Sequence, residues 1–426
     1  MNSGIERPSG VSAFTMAALM LAVFAVSIGY GVALPLLPYL IERLLGADVT
    51  PAQISRHTGL LTAAYAAAIF LFAPLWGRLS DRVGARAVLL AGLLGFGVTM
   101  LAYSFVGSVV AAYAGGIASG MFAAAVPTVA AAVIGTFTVA GHGRARRFAF
   151  VSMAGIAGFL TGPMLGVSVT RLAQEVFGSA LPAGLVAVPF AATGLLAVVV
   201  AGAVAFALPR GIRNEGSRGG AERPAPSTAW VVPKLLVLTF IVSAVVGVFE
   251  VGIALRGKQE LALTPPQVAL MFTECSLVMF VVQAIVFSPR FDPAATRWLI
   301  APALMVLGAG LFLVPRASDF TFMMIAIGAV AASAGVLSPI LTYWISTQAG
   351  AAQGWQLGKQ TAAASLGVTV GSATVGLLFN VAAVPGASFV LAAGLALLGL
   401  LFSIGLPQLL VPRIDAGGKS VARQAA

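Results

Sequence analysis

Pro8 to Ile41 reads PSGVSAFTMAALMLAVFAVSIGYGVALPLLPYLI, 34 residues without one charged side chain. Moving a charge into hydrocarbon is so costly that an uncharged apolar run of about 20 residues or more marks a membrane-spanning helix. The run is also too long for the ~7–15-residue apolar core of a secretory signal, and it is followed by others like it. It is read as the first spanning helix.

The remaining charge gaps outline the rest of the chain. Uncharged runs at 57–77, 148–170, 176–209, 298–315 and 320–358 each predict one helix. Two double-length runs, 87–143 and 360–412, contain turn residues at Gly107-Ser108 and Pro385-Gly386 and are read as two helices each. The stretches 235–256 and 266–289, interrupted only by Glu250 and Glu274, bring the count to twelve. Composition agrees: 59% of the 426 residues are hydrophobic and 9% charged, against about 25% charged in a soluble domain. The 49 glycines suit helices that pack closely in lipid.

An even number of spans places both termini on one side. Only Arg43, Arg56, Arg171, Arg256, Lys258 and Arg316 fall on the other side, which leaves 18 of the 24 Lys and Arg with the termini. The positive-inside rule then predicts cytoplasmic termini in a bacterial inner membrane. All five tryptophans are also expected at or near that face. The net charge of +11 is explained by this topology; nucleic acid is not expected as a partner, since no polar basic domain is present. Cys275 is the only cysteine, so no intrachain disulfide forms.

Pro209 to Lys234, PRGIRNEGSRGGAERPAPSTAWVVPK, has the composition of a flexible linker. It divides the chain into a six-helix bundle at 1–208, a cytoplasmic linker at 209–234, a second six-helix bundle at 235–410 and a tail at 411–426. The halves echo one another. Thr50-Pro51-Ala52-Gln53 returns as Thr264-Pro265-Pro266-Gln267 at an offset of 214, Pro74 matches Pro289 at 215, and Pro127 matches Pro339 at 212. Duplicated bundles around a midplane site are suited to alternating access.

Between the second and third helices lies Gly77 to Arg86, GRLSDRVGAR, a predicted loop of about eight residues in which glycines allow close approach and arginines face anionic lipid. The segment resembles the signature loop of the major facilitator superfamily. The resemblance implies an all-α membrane protein of twelve helices in two pseudo-symmetric bundles. It also implies that Asp81 ties the second helix to the start of the eleventh, so that Gly77, Asp81, Arg82, Gly84 and Arg86 gate the outward-facing state. In the fifth helix, Gly158, Gly162, Pro163 and Gly166 are similar to the antiporter motif of that superfamily's exporters, with Val167 in place of its final glycine. Gly367, Gly371, Ser372 and Gly376 give a weaker echo in the eleventh helix. Pro35 and Pro38 resemble the proline pair of the twelve-helix drug and metabolite exporters. The chain departs from that branch at Gly116, where an arginine is usual, and it has no intramembrane acid in the N-terminal half.

The two intramembrane acids are therefore the candidate proton sites. Glu250 lies 16 residues past Lys234 and Glu274 eight past Pro266, so both fall in the outer half of the membrane, about 24 and 12 Å along their helices. Ser243, Gly247, Glu250 and Ala254 share one face of the seventh helix, a small and polar stripe expected to line a water-filled cavity. Each acid has a plainer reading, as a structural carboxylate satisfied by a hydroxyl or, for Glu250, by Arg256. Tyr30, Tyr65 and Met121 are candidate cavity residues by depth alone, with packing as the alternative for each.

No phosphate-binding loop of ATP-driven pumps is present, and His57 and His142 form no catalytic or metal-ligating cluster. The chain is expected to be neither an enzyme nor a metal or cofactor protein. The expected function is export of a small neutral, cationic or amphipathic compound, probed against import, facilitation or a receptor role. The partners expected are the solute, protons and membrane lipid, with the chain acting as a monomer.

Overall fold

The computed structural model describes residues 12–46, 48–137, 142–177, 184–208, 230–286, 288, 293–317, 319–348, 353–381 and 386–410. Among these, α1 (Ala13–Leu45), α2 (Pro51–Val83), α3 (Ala85–Tyr103), α4 (Val109–Ala123), α5 (Ala125–Phe137), α6 (His142–Phe177) and α7 (Gly184–Ala207) form a first series. The second comprises α8 (Val231–Gln259), α9 (Pro265–Val286), α10 (Ile300–Leu313), α11 (Phe320–Gln348), α12 (Gln353–Leu378), α13 (Ala387–Ser403) and the single turn α14 (Leu406–Leu409). No described residue lies in a strand. Eleven helical spans are long and apolar enough to cross a membrane, and α13 adds a shorter one of 17 residues. The fourth span is α4 and α5 together, broken at Ala124. Pro127, three residues on, lacks the amide that would bond Ala123.

Local chemistry sets the boundaries. Ser108 caps α4 by accepting from the Ala111 amide at 3.2 Å. The repeated Thr-Pro-x-Gln segments build the same cap twice: the Thr50 amide donates to Gln53 Oε1 at 2.9 Å, and the Thr264 amide to Gln267 Oε1 at 2.9 Å. The predicted eight-residue loop at 77–86 is much shorter. Helix α2 continues to Val83, and only Gly84, at φ 95°, separates it from α3. The reason is that spanning helices extend beyond the hydrocarbon, so the last charge-free residue does not mark the helix end. Gly77 is thus inside a helix, and the chain reverses at Gly84 alone, in a conformation that glycine tolerates.

One buried core is drawn from Met16 through Leu208. A second gathers residues from Val231 through Leu410, joined by Leu34 and Ile54 of the first series. Two of the tight helix crossings are glycine-lined and duplicate one another. A Cβ on Gly158 would lie 2.3 Å from the Phe24 carbonyl oxygen, and one on Gly162 would lie 2.7 Å from that of Ile28, where α6 crosses α1. On α12, Gly367 and Gly371 meet the Phe240 and Ala244 carbonyls of α8 at 2.5 and 2.0 Å by the same construction. Another tie is duplicated too: Arg86 donates to the Ala205 carbonyl at 2.5 Å, and Arg297 to that of Leu410 at 2.7 Å. The two series meet chiefly where α2 packs on α12 and α6 on α9.

The tryptophans differ in their surroundings. Trp230 and Trp298 are exposed, but Trp344 is 2% exposed and donates to Thr296 Oγ1 at 3.2 Å. Its indole is a core group whose polar edge finds a hydroxyl, not a headgroup anchor.

Candidate substrate and coupling site

Midway along α1, the Tyr30 hydroxyl donates to Glu250 Oε2 on α8 at 2.8 Å. The Tyr30 ring stacks on Tyr65 of α2, with centroids 5.5 Å apart and planes at 15°, and on Phe159 of α6 at 5.6 Å. Phe159 in turn meets Phe272 of α9 edge-on at 6.2 Å. An aromatic row therefore crosses from one series to the other beside the carboxyl. The backbone on both sides makes this possible. Pro163 has no amide to bond the Phe159 carbonyl, and that carbonyl faces α1, where a Cβ on Gly31 would come within 2.6 Å of it. Only glycine fits at 31, and this close crossing brings Phe159 against Tyr30.

Tyr30, Tyr65 and Glu250 are thus brought together, while Phe159 and Phe272 were not anticipated from the sequence. Their depth was readable, but two apolar rings in apolar helices carry no distinguishing signal. Met121 is not among the residues lining the cavity beside Tyr30 and Tyr65; its carbonyl accepts the Trp76 indole at 2.6 Å. Glu274 stands apart from the aromatic row, with Oε2 buried and unbonded, and Oε1 3.4 Å from where a Gly328 Cβ would stand. Arg256 serves other groups. It pairs with Glu260 and donates to the Pro315 and Ala317 carbonyls at 3.2 and 2.8 Å.

Of the expected cavity stripe on the seventh span, Glu250 faces Tyr30 at the junction, whereas Ser243, Gly247 and Ala254 are packed. A Cβ on Gly247 would meet the Val368 carbonyl at 2.9 Å, the Ser243 Cβ lies 2.9 Å from where one on Gly367 would stand, and Ala254 is fully buried. Small residues suit a cavity and a close helix crossing equally well, so periodicity alone did not separate the two.

In the fifth span, Gly158 and Gly162 are at the tight crossing described above. Gly166 has only ordinary contacts, with Pro189 at 3.7 Å and Val32 at 4.0 Å from a notional Cβ, and Pro163 is buried within α6. In the signature segment, Arg82 is exposed and Arg86 holds the end of α7, while the Asp81 side chain lies outside the described residues.

At the end of the bundle away from Ser12 and Val231, polar contacts join the two series. Lys258 Nζ lies 2.5 Å from Glu42 Oε2 and 4.6 Å above the Tyr39 ring, and the Tyr39 hydroxyl donates to the Leu263 carbonyl at 2.7 Å. Gln259 donates to the Pro51 carbonyl at 3.0 Å, and Asn380 to Ser55 Oγ at 2.6 Å. Just below, Gly59 of α2 and Gly376 of α12 pack so closely that a Cβ on Gly59 would fall 2.4 Å from the Gly376 Cα.

Two duplicated helical series with a carboxyl and an aromatic row at their junction are the architecture of a secondary transporter. The chain belongs to the Major Facilitator Superfamily, whose family model matches residues 19–351. This is a family of transporters and not of enzymes. The chain is 24% identical over 372 residues to multidrug resistance protein 2 of Bacillus subtilis (strain 168), covering 85% of this chain and 88% of that one. It is 23% identical over 369 residues to the quinolone resistance protein NorA of Staphylococcus aureus (strain COL), covering 84% and 88%. Its fold is similar to that of the human organic anion transporter MFSD10 (TETRAN), with a TM-score of 0.71 and 19% identity, covering 92% of this chain and 99% of that one.

Proposed function

We propose that the chain exports small neutral, cationic or amphipathic organic compounds in exchange for protons. The observation that carries this reading is the bond from Tyr30 to Glu250. A carboxyl at the junction of two units, held by a hydroxyl that a change in their tilt would withdraw, links its protonation to their relative position. The similarity to multidrug and quinolone resistance proteins supports export of organic compounds. The lack of arginine at mid-depth in the sequence argues against a strongly anionic solute.

On this reading residues 1–208 and 235–410 are the rocking units, 209–234 the linker and 411–426 a tail, with both termini in the cytoplasm of a bacterial inner membrane. Glu250 takes up the driving proton and Glu274 is the secondary candidate. Tyr30 and Tyr65 contact the solute, Asp81 in the signature segment steadies the outward-facing state, and the chain works as a monomer. The contacts around Glu42 and Lys258 then help to close the outer side.

The test uses purified protein in liposomes with an imposed pH gradient and a quaternary ammonium dye as solute. Glu250→Gln should abolish gradient-driven accumulation while leaving downhill dye exchange intact. Retention of the pH-gradient dependence in that variant would remove Glu250 from the coupling step.

A further inference from the structure

A small cavity opens behind the Tyr30–Tyr65 pair, within the first helical series and to the side of the junction. It is walled by α1, α2, α3, α4 and α7, with Leu61, Phe96, Tyr103 and Phe190 as its buried lining. Two stacked pairs border it, Tyr30 with Tyr65, and Tyr103 with Phe190 at 5.1 Å and 29°.

The hydroxyl inventory says what the space can hold. Tyr103 donates to the Ala112 carbonyl at 2.7 Å, Ser119 to that of Gly116 at 2.9 Å, and Thr62 to that of Thr58 at 3.0 Å, while Tyr30 donates to Glu250. These four donors are spent on backbone carbonyls or on the carboxyl, which leaves the Tyr65 hydroxyl as the one donor on the wall not so engaged. An ordered water needs about 2–4 polar partners, so a cavity of this kind stays dry and accepts apolar guests. Left empty, it sacrifices dispersion contacts along its lining, and a well-fitting guest would restore them. Tyr30 stands both on its wall and against Glu250.

We infer that this cavity is a side site for a single uncharged aromatic ring of the transported compound, the remainder of which lies toward Glu250. The inference rests on the export reading for the identity of the compound, whereas the ring site itself can be tested without transport. In a Cys275→Ser background, Ser119→Cys places a thiol on the cavity wall. Benzyl methanethiosulfonate converts it to the benzyl disulfide, the thiolate attacking the reagent sulfur and methanesulfinate leaving. Leu195→Cys, on an exposed face of α7, is the control.

The benzyl adduct at 119 should raise the unfolding temperature by about 2–4 °C over the unlabelled variant, equivalent to filling one apolar site; the adduct at 195 should not. Benzylamine supplied beforehand should slow labelling at 119 and leave labelling at 195 unchanged. Thr62→Cys repeats the test where Ser119→Cys does not fold. A lower unfolding temperature after labelling, no labelling at either cavity position, or no protection by benzylamine overturns the proposal. If Glu250→Gln keeps its pH-gradient dependence while the adduct at 119 still stabilises, the ring site stands and only the proton assignment fails.

Discussion

Tyr30 and Glu250, 220 residues apart in the chain, share a 2.8 Å hydrogen bond that joins the two helical series at mid-depth. A hydrogen bond to a charged group contributes about 1.5–3 kcal/mol, roughly 10- to 150-fold in an equilibrium constant. Tyr30→Phe keeps the ring that stacks on Tyr65 and Phe159 and removes only the hydroxyl. The variant should therefore retain dye binding while its gradient-driven transport falls by at least about tenfold. Equal loss of binding and transport would make the hydroxyl a structural group.

The glycines of the fifth span are not equivalent. A methyl at Gly162 would press on the Ile28 carbonyl at 2.7 Å, whereas one at Gly166 would have no neighbour closer than 3.7 Å. Backbone atoms cannot turn aside as a flexible side chain can. Gly162→Leu should abolish folded, monodisperse protein on size-exclusion chromatography, and Gly162→Ala should reduce its yield. Gly166→Ala and Leu160→Ile should be tolerated in both yield and transport.

Arg256 is buried and bonds two carbonyls of the segment between α10 and α11, so it anchors the C-terminal end of α8. Removing a buried charge that satisfies several acceptors costs about 3–5 kcal/mol. Arg256→Leu should lower the unfolding temperature sharply, while Glu260→Gln, whose side chain is 41% exposed, should cost no more than about 1 kcal/mol. Unchanged stability in Arg256→Leu, with altered proton coupling, would return this arginine to the role of a partner for Glu250.

The sequence made depth legible and direction only partly so. Charge spacing located the spans, because the solvation cost of a charge is large and local. The Thr50 and Thr264 echoes became identical caps, because a cap depends on four neighbouring residues. Glu250 could be placed at its depth, but its contact with Tyr30 depends on how two distant helices are rotated, which a run of apolar residues does not encode. The Ser243–Gly247 stripe was misread for the same reason. Close packing against α12 and exposure to a cavity both select small residues, and only the position of Gly367 and Gly371 on the facing helix separates the two.

The last prediction concerns the closed end. Glu42 and Lys258 lie on different series, and their ion pair is reinforced by Lys258 standing over the Tyr39 ring, whose hydroxyl also crosses to Leu263. Because the Glu42 side chain is 49% exposed, solvent screens the pair, and its contribution should be about 1 kcal/mol or less. That is too little to govern folding. It is enough to bias two states of nearly equal energy, since 1 kcal/mol changes their ratio by about fivefold. Glu42→Lys should place two cations together, weaken this end and increase labelling of a cysteine at Ser55 by a charged maleimide. Lys258→Glu should do the same through two carboxylates. The exchanged pair, Glu42→Lys with Lys258→Glu, should restore labelling toward that of the parent, and high salt should narrow the differences among all four proteins. If the exchanged pair labels as fast as the single variants at low salt, charge attraction does not hold this end closed. The Gly59–Gly376 crossing, which carries no charge and is untouched by the reporter cysteine, would then be what keeps it shut.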